Sequence, residues 1–406
     1  MKSSYKRLGN YIRRCDEINE GMKVDLLLGI NNAKYFVKAK TNTNGIDLQK
    51  YRIVRNRQFA FNRATTRNGN KISIALRDGD DCIVSPSYRV FEVEDENILS
   101  SEYLMMWFRR PEFDRYARYK SHGSAHEFFD WEEMCDVRLP IPHIDEQREI
   151  VKEYDIIVNR IKLNEKLIQN LEETSQSIYK QWFVDFDFPD DNNQPYKSSG
   201  GEMIFNDKLE LEIPNGWEVK SFTKVVRLSG GGTPNTNIES YWDGNIPFFT
   251  PKDVNSTYFT INTEKYITES GLNKCSSKLY PKGTVFVTAR GTVGAISMAG
   301  CEMAMNQSCY AVLGNSKINQ IFAHQLTLET MKKLKEEAIG AVFNALVTRD
   351  FDGRLIIEPN IEILDLFENR LRPIYNTILN KVKQNEELSN LRSLLLSKLT
   401  TVTELV

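Results

Sequence analysis

Residues 143–183 read HIDEQREIVKEYDIIVNRIKLNEKLIQNLEETSQSIYKQWF, a stretch with neither Gly nor Pro. Its apolar residues fall at Ile150, Tyr154, Ile157, Ile161, Ile168, Leu171, Ile178 and Trp182. Once Asn164 and Ser175 are included, the steps alternate between three and four, which predicts a long helix with one narrow apolar seam: a coiled-coil strand rather than a globular core helix. Adding 217 to each position leads to a second seam, Phe367, Leu371, Ile374, Ile378, Asn385, Leu388, Leu395 and Leu399. The same offset pairs Pro142 with Pro359, Ile144 with Ile361 and Gly123 with Gly340, so the copy extends upstream of the helix. Pro373 interrupts the second seam, where a kink or a later helix start is expected.

Further upstream, the stretch from Tyr51 to Arg63 matches the stretch from Leu279 to Arg290. Each is followed by a Gly-containing turn and an alternating stretch ending at Ser87-Tyr88-Arg89-Val90 or Cys309-Tyr310-Ala311-Val312. Alternation, β-branched residues and Gly/Asn turns make these strands. The expected fold class is α+β: two mixed α/β globular domains separated by two long antiparallel coiled-coil helices, related by a pseudo-twofold internal repeat. The boundaries are 1–142 for the first domain, 143–185 for the first helix, 186–216 for a polar Pro/Gly/Ser linker, 217–358 for the second domain and 359–406 for the second helix. Two matching seams in one chain can satisfy each other internally; pairing into a homodimer uses the same seams. Asn164 and Asn385 are candidates for setting register.

The chain has 406 residues, with 53 Lys and Arg against 55 Asp and Glu. That length exceeds what one hydrophobic core usually serves. No run approaches the roughly 18 apolar residues of a membrane helix, and the first residues lack a signal-peptide core, so a soluble intracellular protein is expected. The near-zero net charge conceals segregation. Residues 143–216 carry 8 basic and 16 acidic groups, whereas residues 34–77 hold eleven basic residues against the single acid Asp47. Interleaved with Tyr51, Phe59, Phe61 and several Asn, Thr and Gln, that run has the composition of a phosphate-binding surface; a solvated basic face is the alternative. The cysteines Cys15, Cys82, Cys135, Cys275, Cys301 and Cys309 show no CxxC spacing, which excludes a thiolate zinc motif and predicts free thiols.

Catalytic patterns are weak. Gly230-Gly231-Gly232-Thr233-Pro234 lacks the Lys-Ser/Thr of a phosphate loop and reads as a turn with permissive dihedrals. There is no Asn/Asp-Pro-Pro-aromatic methyltransferase signature. Pro189-Asp190 with Glu218-Val219-Lys220 is a loose nuclease spacing split between linker and domain, and His122 and His126 lack a third ligand. Trp131, Trp217 and Trp242 read as core aromatics.

Two similar domains on paired helices, one of them strongly basic, form the plan of a reader of two-part DNA sites. The chain resembles the specificity subunit of type I restriction-modification enzymes. The resemblance rests on Leu139-Pro-Ile-Pro142 with Glu146-Gln147 and Ile150, on Gln181-Trp182-Phe183-Val184-Asp185-Phe186, and on Ser229-Gly-Gly-Gly-Thr233-Pro234. It continues through Tyr241-Trp242, Ile246-Pro247-Phe248, Thr250, Arg290-Gly-Thr292, Asn306-Gln307, and the Leu-rich segment from Asn385 to Leu399. Nearly the whole length is covered. The first domain lacks the Ser-Gly-Gly-Thr-Pro opening, and the second-helix counterpart of Glu146-Gln147 is Ile363-Leu364.

The resemblance implies a non-catalytic subunit, in the cytoplasm of a bacterium or archaeon, with two target recognition domains, each reading half of a bipartite, gapped double-stranded DNA site. The helices would set the spacing and dock two methyltransferase subunits, joined by two restriction and motor subunits. No cofactor is expected on this chain; S-adenosylmethionine, ATP and Mg would belong to those partners. Because Arg, Lys, Asn and Gln address base edges and cations address phosphates, the expected DNA contacts are Arg55, Arg57, Asn62, Arg63, Arg67, Asn68 and Lys71 in the first domain. In the second they are Lys252, Lys274, Lys278, Arg290 and Asn306. The expected docking and coiled-coil residues are Glu146, Gln147, Ile150, Tyr154, Ile157, Ile161, Leu171 and Trp182, with Phe367, Leu371, Ile378, Leu388 and Leu395. A two-headed protein scaffold and a self-contained nuclease or methyltransferase are the alternatives.

Overall fold

The computed structural model describes residues 5–39, 45–64, 71–121, 128–337 and 345–400. Its longest elements are two helices, Ile144–Phe183 and Ile361–Lys398. Along the first, Tyr154, Ile161, Asn164, Ile168, Ser175, Tyr179 and Trp182 are buried, and most of the positions between them are exposed, as a seam requires. On the second, Phe367, Leu371 and Ile378 are buried, as is Leu399 just past its end. The helices run antiparallel within one chain: Asn164 donates to Asn385 Oδ1 at 2.8 Å, and the Trp182 ring lies 5.6 Å from that of Phe367, so the partner number falls as the first rises. The second helix begins at Ile361, not at Pro373, and passes through the proline, which removes one intrahelical hydrogen bond without ending the element.

Contacts divide the chain into two units, Met1–Ile161 with Leu388–Val406, and Lys162–Glu387. The first contains a four-stranded antiparallel sheet in the order Ile12–Cys15, Tyr88–Val93, Phe59–Asn62, Ile74–Leu76. Helix Ser101–Phe108 covers it, and the Phe59, Phe91 and Phe108 rings meet at 4.8–6.2 Å. Strand Tyr5–Arg7 pairs with Arg138–Pro140, delivering the chain to the first long helix.

The second unit repeats the order: Val226–Gly230, Cys309–Gly314, Val285–Thr288, Ile296–Ala299, with Phe259–Thr260 added at the edge. Helix Gln320–Glu337 covers this sheet, and Glu218–Ser221 pairs with Leu355–Glu358 ahead of the second long helix. The matched stretches from Tyr51 and Leu279 thus supply equivalent central strands. The repeat holds at the level of strand order, where residue identity has largely drifted.

Residues 186–216 depart from the expected polar linker. Phe186 and Phe188 are buried, and the Phe188 ring stacks on Trp217 at 5.0 Å and on Tyr196 at 4.6 Å. Met203–Asn206 and Leu211–Pro214 form a hairpin. The acidic residues organise turns rather than solvate a tether: Asp190 Oδ1 accepts the backbone N–H groups of Asn192 and Gln194 at 2.8 Å. A few aromatic rings in a polar stretch suffice to pin it, because each buries a large apolar area. All six cysteines are free, with Cys82, Cys135 and Cys309 buried. Among the described residues, no helix is long and apolar enough to cross a membrane.

Candidate nucleic-acid interface

In the first unit the expected DNA contacts divide between the two ends of strand Phe59–Asn62. Arg55 and Arg57 precede it; Asn62, Arg63 and Lys71 lie where it leaves the sheet and strand Ile74–Leu76 returns. Strand Phe59–Asn62 thus lies between the two groups, so the basic run is split between its ends. Arg67 and Asn68 lie outside the described residues, as do His122 and His126.

The charges at the first end are engaged within the fold. Arg55 grips Glu17 in a two-pronged contact, at 2.6 and 2.9 Å, and reaches Asp81 at 2.6 Å. Arg57, in a left-handed conformation (φ 69°), pairs with Glu102 and with Glu96 at 2.8 Å. Its hydrogen bond to Glu102 is the main reason its pKa is raised. Each of these arginines is thus already paired with two carboxylates inside the fold, although nearly half of its side chain stays exposed.

At the other end Arg63 is both anchored and accessible. Its guanidinium sits 3.1 Å from Asp130 and 4.8 Å from the centre of the Phe128 ring, and 36% of its side chain remains exposed. Asp130 also takes Arg89 at 2.7 Å and caps helix Trp131–Cys135 in a capping box with Glu133. Burial pushes the Asp130 carboxyl up, but the hydrogen bonds from Arg89 and Arg63 outweigh it and the pKa is lowered. Asn62 turns its Oδ1 to the Ala64 N–H at 3.1 Å, and Lys71 is exposed.

In the second unit the expected residues do gather. Strands Trp242–Phe249 and Ala304–Met305 run parallel, with Phe249 opposite Met305, so Thr250-Pro251-Lys252 and Asn306-Gln307 emerge side by side. Asn306 N donates to Phe249 O at 2.9 Å, and Gly291, next to Arg290, packs toward Pro251. The Gly-rich segment crosses this surface: a Cβ on Gly231 would stand 2.1 Å from Asn306 O, and one on Gly232 would stand 2.5 Å from Ser276 Oγ. Neither glycine has positive φ. The glycines serve close backbone approach, not the permissive turn dihedrals expected from the sequence. Lys274, Lys278 and Arg290 are exposed, and Lys252 approaches Glu264 only to 3.8 Å. Asn306 is a framework residue, its Oδ1 held by the Ser308 N–H at 3.0 Å.

The helix-start pair behaves asymmetrically. Gln147 is fully buried; its Oε1 accepts from Ser100 N at 2.9 Å and its Nε2 donates to Ile98 O and Pro142 O at 2.9 and 2.8 Å. It ties the helix to its own domain, which leaves Glu146 as the half-exposed member. The counterpart of Gln147 in the second copy, Leu364, is buried too, so the repeat conserves burial rather than chemistry. Ile150, Ile157, Leu171, Leu388 and Leu395 are half-buried along the seams. Sequence reasoning missed Asp130, whose role depends on two arginines far away in the chain. It also missed the buried group of Tyr258, His324, Gln325 and Tyr375, in which Gln325 Nε2 donates to Tyr375 Oη at 2.8 Å. Among the described residues, no cluster of His, Cys, Asp and Glu is placed to hold a metal.

A family model for the type I restriction modification DNA specificity domain matches this chain twice, over residues 11–173 and 214–390. The MjaIX specificity subunit of Methanocaldococcus jannaschii is 29% identical over 74% of this chain and 68% of its own length. The HindI specificity subunit of Haemophilus influenzae is 24% identical over 91% of both chains. Among solved structures, the S subunit of a type I restriction-modification system from M. genitalium superposes with a TM-score of 0.59 at 12% identity, covering 98% of this chain and 96% of that one.

Proposed function

This chain belongs to the type I restriction-modification DNA specificity family, and from that premise we propose that it is the non-catalytic DNA-recognition subunit of such a system, each domain reading one half of a gapped, double-stranded site. The observation that carries this reading is the doubled sheet order, each copy ending in a long helix and each overlapping its own match to the specificity domain. Two copies with different side chains on one frame are what an asymmetric two-part sequence demands. In the first domain, Asn62, Arg63 and Lys71, with Arg67 and Asn68, form the DNA-facing set; Arg55 and Arg57 join it by exchanging carboxylates for phosphates. In the second, Lys252, Lys274, Lys278 and Arg290 supply cations over a framework that Asn306 holds.

The paired helices set the spacing between half-sites and dock two methyltransferase subunits, with two restriction and motor subunits completing the assembly in the cytoplasm. S-adenosylmethionine, ATP and Mg act on those partners. The test is co-expression with the neighbouring methyltransferase subunit, followed by mapping of N6-methyladenine across the host genome. One gapped two-part motif is the expected outcome. A stable complex without new methylation would refute the reading and favour a protein scaffold.

A further inference from the structure

Within the first unit, a cavity of about 720 Å³ opens beside the paired strands Tyr5–Arg7 and Arg138–Pro140. One wall is aromatic, with Trp107, Phe113 and Tyr116; the rest carries Arg7, Arg110, Lys120 and Arg138 against Glu112 and Asp136. The carboxylates are already committed. Asp136 holds Arg7 at 2.9 Å, and Glu112 holds Arg115 at 3.1 Å while standing 3.4 Å from Arg110. Lys120 and Arg138 have no ion pair among the described residues.

Two further features concentrate positive charge at this cavity. Arg7 and Arg138 are directly opposed across the antiparallel pair, an arrangement in which like charges destabilise a sheet. The Arg110 side chain is only 4% exposed, stacked 4.2 Å above the Trp107 ring. Its guanidinium forms an ion pair with Glu112 at 3.4 Å, and its Nε is enclosed without a hydrogen-bond partner. Buried donors of this kind are nearly always satisfied, and a guanidinium is built to grip phosphate or carboxylate in a fork. The chemistry that satisfies both features is an anion, and the aromatic wall and the volume fit something larger than an inorganic ion.

We infer that this cavity binds a nucleoside monophosphate, its base on the aromatic wall and its phosphate among Arg110, Lys120 and Arg138. The inference is independent of the DNA-recognition reading, since it uses neither the strand ends nor the long helices' seams. The test is calorimetric titration of the full chain with AMP, inorganic phosphate and adenosine in parallel, with tryptophan emission followed in wild type and Trp107→Phe. AMP is expected to bind at least about tenfold tighter than either fragment and to change an emission signal that Trp107→Phe removes. Arg138→Gln and Lys120→Gln, both away from the core, should each weaken AMP about tenfold, the size of one charged hydrogen bond, with an unchanged circular dichroism spectrum. Arg110→Gln should remove binding. Three outcomes would overturn the inference: no saturable heat with AMP at millimolar concentration, AMP no tighter than phosphate, or AMP no tighter than adenosine.

Discussion

Arg63 is held on one side and offered on the other. Asp130 and the Phe128 ring fix its guanidinium, so little rotamer entropy would remain to be lost in the proposed contact with DNA. Arg63→Gln is therefore expected to weaken recognition of the first half-site selectively, by about 1–3 kcal/mol if the contact is to a base edge. Binding to duplexes altered in one half-site at a time measures this; equal loss at both would remove Arg63 from a single recognition domain. Gly231 makes the opposite case, a residue defined by what it lacks. Because a methyl there would collide with Asn306 O, Gly231→Ala should cost about 1–3 kcal/mol or more in stability and impair the second half-site first, which a melting curve and the same duplexes would show. Residue types at these positions were legible in the sequence. Their pairing was not: the carboxylates on Arg55 and Arg57 come from 26 to 45 residues away, a separation no local pattern encodes.

At the scale of the element, the seam of the long helices was readable almost residue by residue, because a period of three and four has one structural meaning. The meeting of Asn164 with Asn385 required the register, which neither helix contains alone. Each Asn→Ala change should cost about 1 kcal/mol, and the double variant less than the sum, a coupling that a double-mutant cycle by urea denaturation would detect; strict additivity would mean that the pair does not interact. One residue on the first helix is expected to make its packing sensitive to pH. Burial pushes the Glu172 carboxyl up to about 7, although its acceptance of the Tyr258 N–H at 2.7 Å pulls the other way. A carboxyl raised in the folded state stabilises fully below its unfolded pKa, and that contribution fades as pH rises through the folded value. Stability should thus fall between about pH 4.5 and 7 by about 1–2 kcal/mol, discounted for the group's partial exposure. Glu172→Gln should flatten this dependence and raise the melting temperature at pH 8; a variant as pH-sensitive as wild type would exclude Glu172 as the cause.

For the molecule as a whole, the near-zero net charge is a poor guide to DNA affinity, because the acidic groups concentrate in residues 143–216. Affinity for duplex DNA should fall steeply with salt, and replacing Lys252, Lys274 and Lys278 with Gln should reduce the slope of log affinity against log salt by about 0.9 for each phosphate no longer neutralised. An unchanged slope would show that these lysines face away from the DNA backbone. The same averaging hid the character of residues 186–216: composition suggested a tether, while Phe186, Phe188 and Trp217 draw the segment into a core.

The sequence alone determined the two long helices, their apolar faces and the doubling of the chain, because periodicity and repetition are local or purely serial signals. It also determined the family, because the order of many weak motifs is more specific than any one of them. Only the tertiary structure decided which cations are already neutralised, why the glycines near Asn306 must be glycines, that Gln147 faces inward, and that basic side chains and an aromatic wall enclose one cavity. Those are properties of distances between residues far apart in the chain, where burial and Coulomb energy depend on what folding brings within a few ångströms.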